Sequence, residues 1–257
     1  MNFSAYRALA RCVVLESLRR KDLWVVAILG FVILLASSTL GFFGFSGLEI
    51  FAKDMAVTVL GMFSTIIAVL TSSRLVPDEI KNRTLYPLLA RPISRLDLLV
   101  GKLIGAVIVT WISFLLLAAL TAVALMIFHV KFELIMVQYL VAKMLGLVVV
   151  CSFAMMLSTY MTPSAAATMS FIFAFGSPMI GRGLVMASAE NPAIKPVCAA
   201  INSLLPQTGL FDLGGRAVYI GWSMVPVWVM GFLLAYGIAY SGAALALSWA
   251  KFRRQAV

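Results

Sequence analysis

Residues 23–48 carry no charged side chain, and uncharged apolar runs of the same kind recur at 55–73 and 103–128. A helix rises about 1.5 Å per residue and the hydrocarbon core of a bilayer is roughly 30 Å thick, so about 20 apolar residues cross it. The first and third runs cross with some tilt, and the second is just long enough. Between residues 134 and 181 the only charge is Lys143, in a stretch too long for one crossing and long enough for two. Thr162-Pro163-Ser164 is the natural break, placing a fourth span at 137–160 and a fifth at 164–186; residues 224–250 form a sixth. Lys143 then falls within a turn or two of a span end, where its stem can snorkel to the interface. The alternative is a buried functional lysine.

The rest of the composition agrees. With 63% hydrophobic and 12% charged residues over 257 positions, the chain is too apolar for a soluble domain. It reads as a single all-α membrane domain over residues 1–257. Residues 1–21 are charged throughout and lack the apolar core and cleavage site of a signal peptide. Phe3, Tyr6, Leu9, Ala10 and Val13 share one helical stripe beside Arg7 and Arg11, which predicts an interfacial helix on the membrane surface; a plain basic flank of the first span is the alternative. Glu49, Lys53 and Asp54 mark one short turn, and His129, Lys131 and Glu133 another. Residues 187–223, with Pro192, Pro196 and Pro206 around an apolar middle at 197–205, predict short helices on or dipping into the outer leaflet.

Six spans put both termini and the 75–102 loop on one side, and Lys and Arg decide which. Arg7, Arg11, Arg19, Arg20 and Lys21, then Arg74, Lys81, Arg83, Arg91, Arg95 and Lys102, then Lys251, Arg253 and Arg254 place fourteen of the twenty basic residues there. By the positive-inside rule that side is cytoplasmic, in a cell (inner) membrane. The net charge of +10 is explained by this topology and not by a nucleic-acid face.

The 75–102 loop is the only long hydrophilic segment between spans. Pro77, Asp78 and Glu79 read as a helix start. Thr84 can cap a very short helix over residues 85–90, with Pro87 in its first turn and Arg91-Pro92 ending it. Ser94 with Asp97 forms a capping box for the third span. The shape is a small knob, Leu85, Leu88 and Leu89 ringed by Arg83, Arg91 and Arg95.

The succession Glu79, Arg83-Thr84-Leu85, Leu88-Leu89, Arg91-Pro92-Ile93-Ser94-Arg95 and Gly101-Lys102 resembles the first cytoplasmic loop of type-2 ABC transporter permeases. The small single-domain permeases of the sodium-efflux and nitrous-oxide-reductase-maturation types are the nearest likeness, though Arg83 stands where that family usually has glycine. Leu205-Pro206 and Phe211-Asp212 resemble a pairing in the same permeases. The resemblance implies a type-2 ABC permease fold with a coupling helix between spans two and three. That helix would dock on a separate ATPase subunit through Glu79, Arg83, Thr84, Leu85, Leu88, Leu89, Arg91, Pro92, Ser94 and Arg95. The membrane partner would be a second copy or a paralogous permease.

The sequence has no G-x-x-x-x-G-K-[ST], so ATP and Mg would belong to the partner, and this chain holds no cofactor of its own. No H-E-x-x-H, G-x-S-x-G or paired membrane carboxylates support an enzyme. Cys12, Cys151 and Cys198 lack metal spacing and read as small packing groups. Met155, Met156 and Met161 raise Cu(I) binding, against ordinary interface packing. Gly101 and Gly105 allow close helix contact at the start of span three. Hydroxyls in the spans mostly bond back to their own helices, so the lining is mild and tilts toward hydrophobic or amphiphilic cargo. The expectation is an ABC permease subunit that forms a translocation path; the alternative is a membrane anchor transmitting ATPase force to an outer-side partner without cargo.

Overall fold

In the computed structural model, residues 3–19, 24, 28, 30–32, 48–77, 94–127, 133–190, 195–218 and 224–254 are described. Among them every regular element is helical: α1 (Phe3–Arg19), α2 (Leu48–Arg74), α3 (Arg95–Ile127), α4 (Leu134–Tyr160), α5 (Pro163–Glu190), α6 (Lys195–Leu204), a 3₁₀ turn (Thr208–Phe211), α7 (Gly214–Val218) and α8 (Val227–Arg254). Five of these, α2, α3, α4, α5 and α8, are long and apolar enough to cross a membrane, which makes the chain a multi-pass membrane protein. Most of the first apolar run, 23–48, lies outside the described residues. Trp24, Ile28 and residues 30–32 of that run are helical.

The breaks fall where local chemistry puts them. The fourth helix ends at Tyr160 and the fifth begins at Pro163, proline being tolerated where no helical N–H is needed. At the start of α3 the Asp97 N–H donates to Ser94 Oγ at 3.1 Å, the serine cap expected from the sequence, and the Ser94 hydroxyl in turn donates to Asp97 Oδ2 at 2.6 Å.

Several boundaries differ from the expectation: α4 starts at Leu134 rather than 137, and α8 runs over Val227–Arg254 rather than 224–250. Glu49, Lys53 and Asp54 are not a turn but part of α2, which starts at Leu48. Lys53 is almost wholly buried, with Nζ 3.5 Å from Glu133 Oε1, so its charge is carried inside the bundle by the carboxylate just before α4. In addition, α5 continues to Glu190, so the outer segment starts later than 187.

α2 and α4 are the central helices, while α5 and α8 are covered on a minority of their surface. Ile67, Leu98, Phe114, Leu147, Met155 and Phe252 are buried in one cluster. α1 packs on α3. Its Leu9, Ala10 and Val13 are buried and lie over Gly101 and Gly105: a Cβ on Gly105 would stand 2.7 Å from Val13 Cβ. The apolar stripe of α1 is thus covered by protein, with Arg7 and Arg11 exposed.

Candidate functional site

Two regions at opposite ends of the bundle concentrate polar chemistry. The first is the neck of the 75–102 loop. Lys102 is buried in the apolar start of α3 and donates from Nζ to the Leu75 carbonyl at 2.7 Å, tying the two ends of the loop together. Arg95 reaches across to the end of α8, donating from Nη1 to the Phe252 carbonyl at 2.9 Å with its guanidinium 5.7 Å from the Phe252 ring. A cation at the last carbonyls of a helix satisfies groups that have no partner within it. Tyr6 of α1 donates its hydroxyl to Asp97, and this bond holds the Tyr6 phenol above its ordinary pKa. The neck therefore joins α1, α2, α3 and α8.

Of the expected docking residues, Ser94 caps α3 and Arg95 is turned onto α8. Glu79, Arg83, Thr84, Leu85, Leu88, Leu89, Arg91 and Pro92, with the short helix at 85–90, lie outside the described residues.

The second region is a cavity of about 340 Å³ at the end remote from the loop. Asp54, Thr58, Gly61 and Thr65 of α2 line one wall at positions i, i+4, i+7 and i+11, a single helical face. Lys143, Gly146, Leu147 and Val150 of α4 form the second, Ala174, Phe175 and Pro178 of α5 the third. The 3₁₀ turn and the residues after it close the cavity with Thr208, Gly209, Phe211 and Asp212.

That turn is pulled into the bundle by an interruption in α5. Pro178 has no N–H to give the Ala174 carbonyl, and in an apolar helix such a carbonyl needs another donor. Thr208 supplies it, donating Oγ1 to Ala174 O at 2.9 Å while its hydroxyl also meets Ser177 Oγ at 2.7 Å. Phe211, fully buried, then lies against Gly146, where a Cβ would come within 2.8 Å of Phe211 Cβ. The outer segment thus dips between helices rather than lying only at the surface.

Lys143 sits nine residues into α4, about 13 Å along the axis, because α4 starts earlier than the expected span. Its Nζ stands over Gly61, 3.3 Å from where a Cβ there would be. The side chain faces the cavity, not the membrane interface. Neighbouring Tyr139 donates to the Val57 carbonyl at 3.1 Å, and Asp212 accepts from the Gly214 N–H at 3.0 Å. The sequence signal for this site was the polar and small stripe Asp54, Thr58, Gly61, Thr65 inside an apolar run, together with Pro178.

Other candidates fall elsewhere. Met155 is buried in the core while Met161 is exposed, and none of Met155, Met156 and Met161 lines the cavity. Cys151 is buried beside Thr110 Oγ1 at 3.5 Å. Ser64, Thr65, Ser152, Ser158 and Thr159 bond back to carbonyls three or four residues earlier.

A family model described as a protein of unknown function, DUF2705, matches residues 23–257; the chain belongs to that family. No curated protein matches it.

Proposed function

We propose that this DUF2705 chain is the permease subunit of an ABC transporter, forming a translocation path and receiving force from a separate ATPase subunit through the 75–102 loop. The observation that carries the reading is the neck. A load applied to that loop reaches Lys102 and Leu75, then Arg95 and α8, then Asp97 and α1. A loop tethered to four helices can move a bundle. One hanging from two flexible ends cannot.

In this reading residues 23–48 are a sixth span. Support comes from Gly30, which faces Leu117 of α3 and Phe63 of α2 across about 3.4–3.7 Å at the position of a Cβ, while Trp24, Ile28, Phe31 and Val32 are exposed. Both termini and the loop are then cytoplasmic, as the basic residues favour. ATP and Mg are held by the partner, and the weakly covered α5 and α8 leave room for a second permease copy or a paralogue. The cavity favours transport over the anchor reading, because a force-transmitting scaffold has no need of a polar chamber inside its bundle.

The test is Leu88→Asp in the reconstituted complex. It puts a charge on the apolar knob, so ATP hydrolysis should continue with cargo flux lost and the protein still inserted. Unchanged flux in that variant removes the docking role, and a complex that hydrolyses ATP and works on its partner with no flux of any cargo leaves the anchor reading.

A further inference from the structure

The loop-distal cavity joins charges of both signs to an apolar rim, with Lys143 facing Asp54 and Asp212 across it and no contact ion pair between them among the described residues. Lys143 forms no ion pair or hydrogen bond among the described residues, although Asp54 and Asp212 line the same chamber. Placing an ammonium about two and a half turns inside an apolar bundle without a contacting counterion is costly, and residues of this kind mark sites. A ligand anion at Lys143 offsets that cost. A ligand cation then meets the two carboxylates, which outnumber the lysine.

The rim has the opposite character. Met62 and Phe175 line the cavity, yet they are 48% and 44% exposed. The same side chains therefore border the chamber and the outer surface of the bundle, between α2 and α5. The α5 face continues apolar outward through Ile172 and Met179. A head group held at Lys143 can pass a tail over Met62 and Phe175 into the surrounding hydrocarbon, with the chamber volume, about 340 Å³, suited to a head group and the first few methylenes.

From this arrangement we infer that the cavity binds a zwitterionic amphiphile, its anionic group at Lys143, its cationic group at Asp54 and Asp212, and its tail leaving between α2 and α5. This deepens the permease reading by naming a cargo class and rests on it for the transport step, but binding needs no ATPase.

The test uses the full chain purified in an uncharged maltoside detergent, with a lysophosphatidylethanolamine carrying a fluorinated tail as the probe and ¹⁹F line broadening as the readout. Saturable binding is expected, weakened about tenfold or more by Lys143→Gln and by Asp212→Asn, kept by Lys143→Arg, and unaffected by Lys251→Gln at the other end of the bundle. Thermal melting of each variant separates lost binding from lost folding. Binding indifferent to Lys143→Gln in a folded variant overturns the site. An alkyl phosphate of the same tail binding as tightly as the zwitterion overturns the role of the carboxylates. Free phosphoethanolamine competing as well as the lipid overturns the tail path and assigns the charges to a soluble zwitterion. Lost binding specificity with Leu88→Asp still uncoupling refutes the cargo class alone, whereas intact binding with no uncoupling refutes the permease reading alone.

Discussion

Thr208 illustrates how one side chain repairs a fault made by another. Pro178 removes the N–H that would bond the Ala174 carbonyl, and Thr208 Oγ1 replaces it at 2.9 Å. Thr208→Val should cost about 1–3 kcal/mol, the usual penalty for a buried acceptor left without a donor. Pro178→Ala restores the helical donor, so in that background the same threonine change should cost clearly less, a coupling that a double-mutant cycle of melting free energies reads directly. Equal costs in both backgrounds mean that Thr208 acts only through Ser177. Lys143 is the other residue whose role depends on neighbours from distant parts of the chain. Its charge is plain in the sequence, but the chamber around it is built from α2, α4, α5 and the 3₁₀ turn, so no local pattern distinguishes it from a snorkelling lysine.

Among the elements, α1 is held by what α3 lacks. Gly101 and Gly105 leave a groove into which Leu9, Ala10 and Val13 fit, with a Cβ at Gly105 standing 2.7 Å from Val13 Cβ and 3.1 Å from the Ala10 backbone. Gly105→Val should therefore push α1 away at about 1–3 kcal/mol and speed tryptic cleavage at Arg7 and Arg11. Gly183→Ala, with nothing within 4 Å of its Cβ, is the control expected to leave both unchanged. The sequence displayed the apolar stripe and the glycine pair, and it was silent on their union because each has an adequate separate reading, a bilayer surface for one and another span for the other. Helix ends were legible wherever a cap or proline acts locally, as at Ser94, Asp97 and Pro163. They were not legible at Glu49, Lys53 and Asp54, where a charged cluster looks like a turn until Glu133, just ahead of α4, pairs with Lys53. Likewise the capture of Phe211 depends on Gly146 and the Pro178 interruption, neither adjacent to it in the chain.

At the scale of the whole molecule, polarity between the two ends is the property that function needs. The loop neck, the C-terminus of α8 and α1 share one end, tied by Arg95 to Phe252 and Tyr6 to Asp97. Asp54, the Lys53–Glu133 pair, the Gln138 amide clamped on Val225 at 3.1 and 2.9 Å, and α7 share the other. If the five long helices cross the membrane and most basic residues stay inside, a thiol at position 94 must be reached from the cytoplasm and one at 215 only from outside. Both positions suit labelling, being exposed, and Gly215 has open space around it. Native Cys12 is exposed while Cys151 and Cys198 are buried, so Cys12→Ser gives the background. In sealed cells an impermeant maleimide should react with Gly215→Cys, and in inverted vesicles with Ser94→Cys. Labelling of both from one side would mean that an even number of crossings separates them. No motor could then pull on one end while cargo waits at the other.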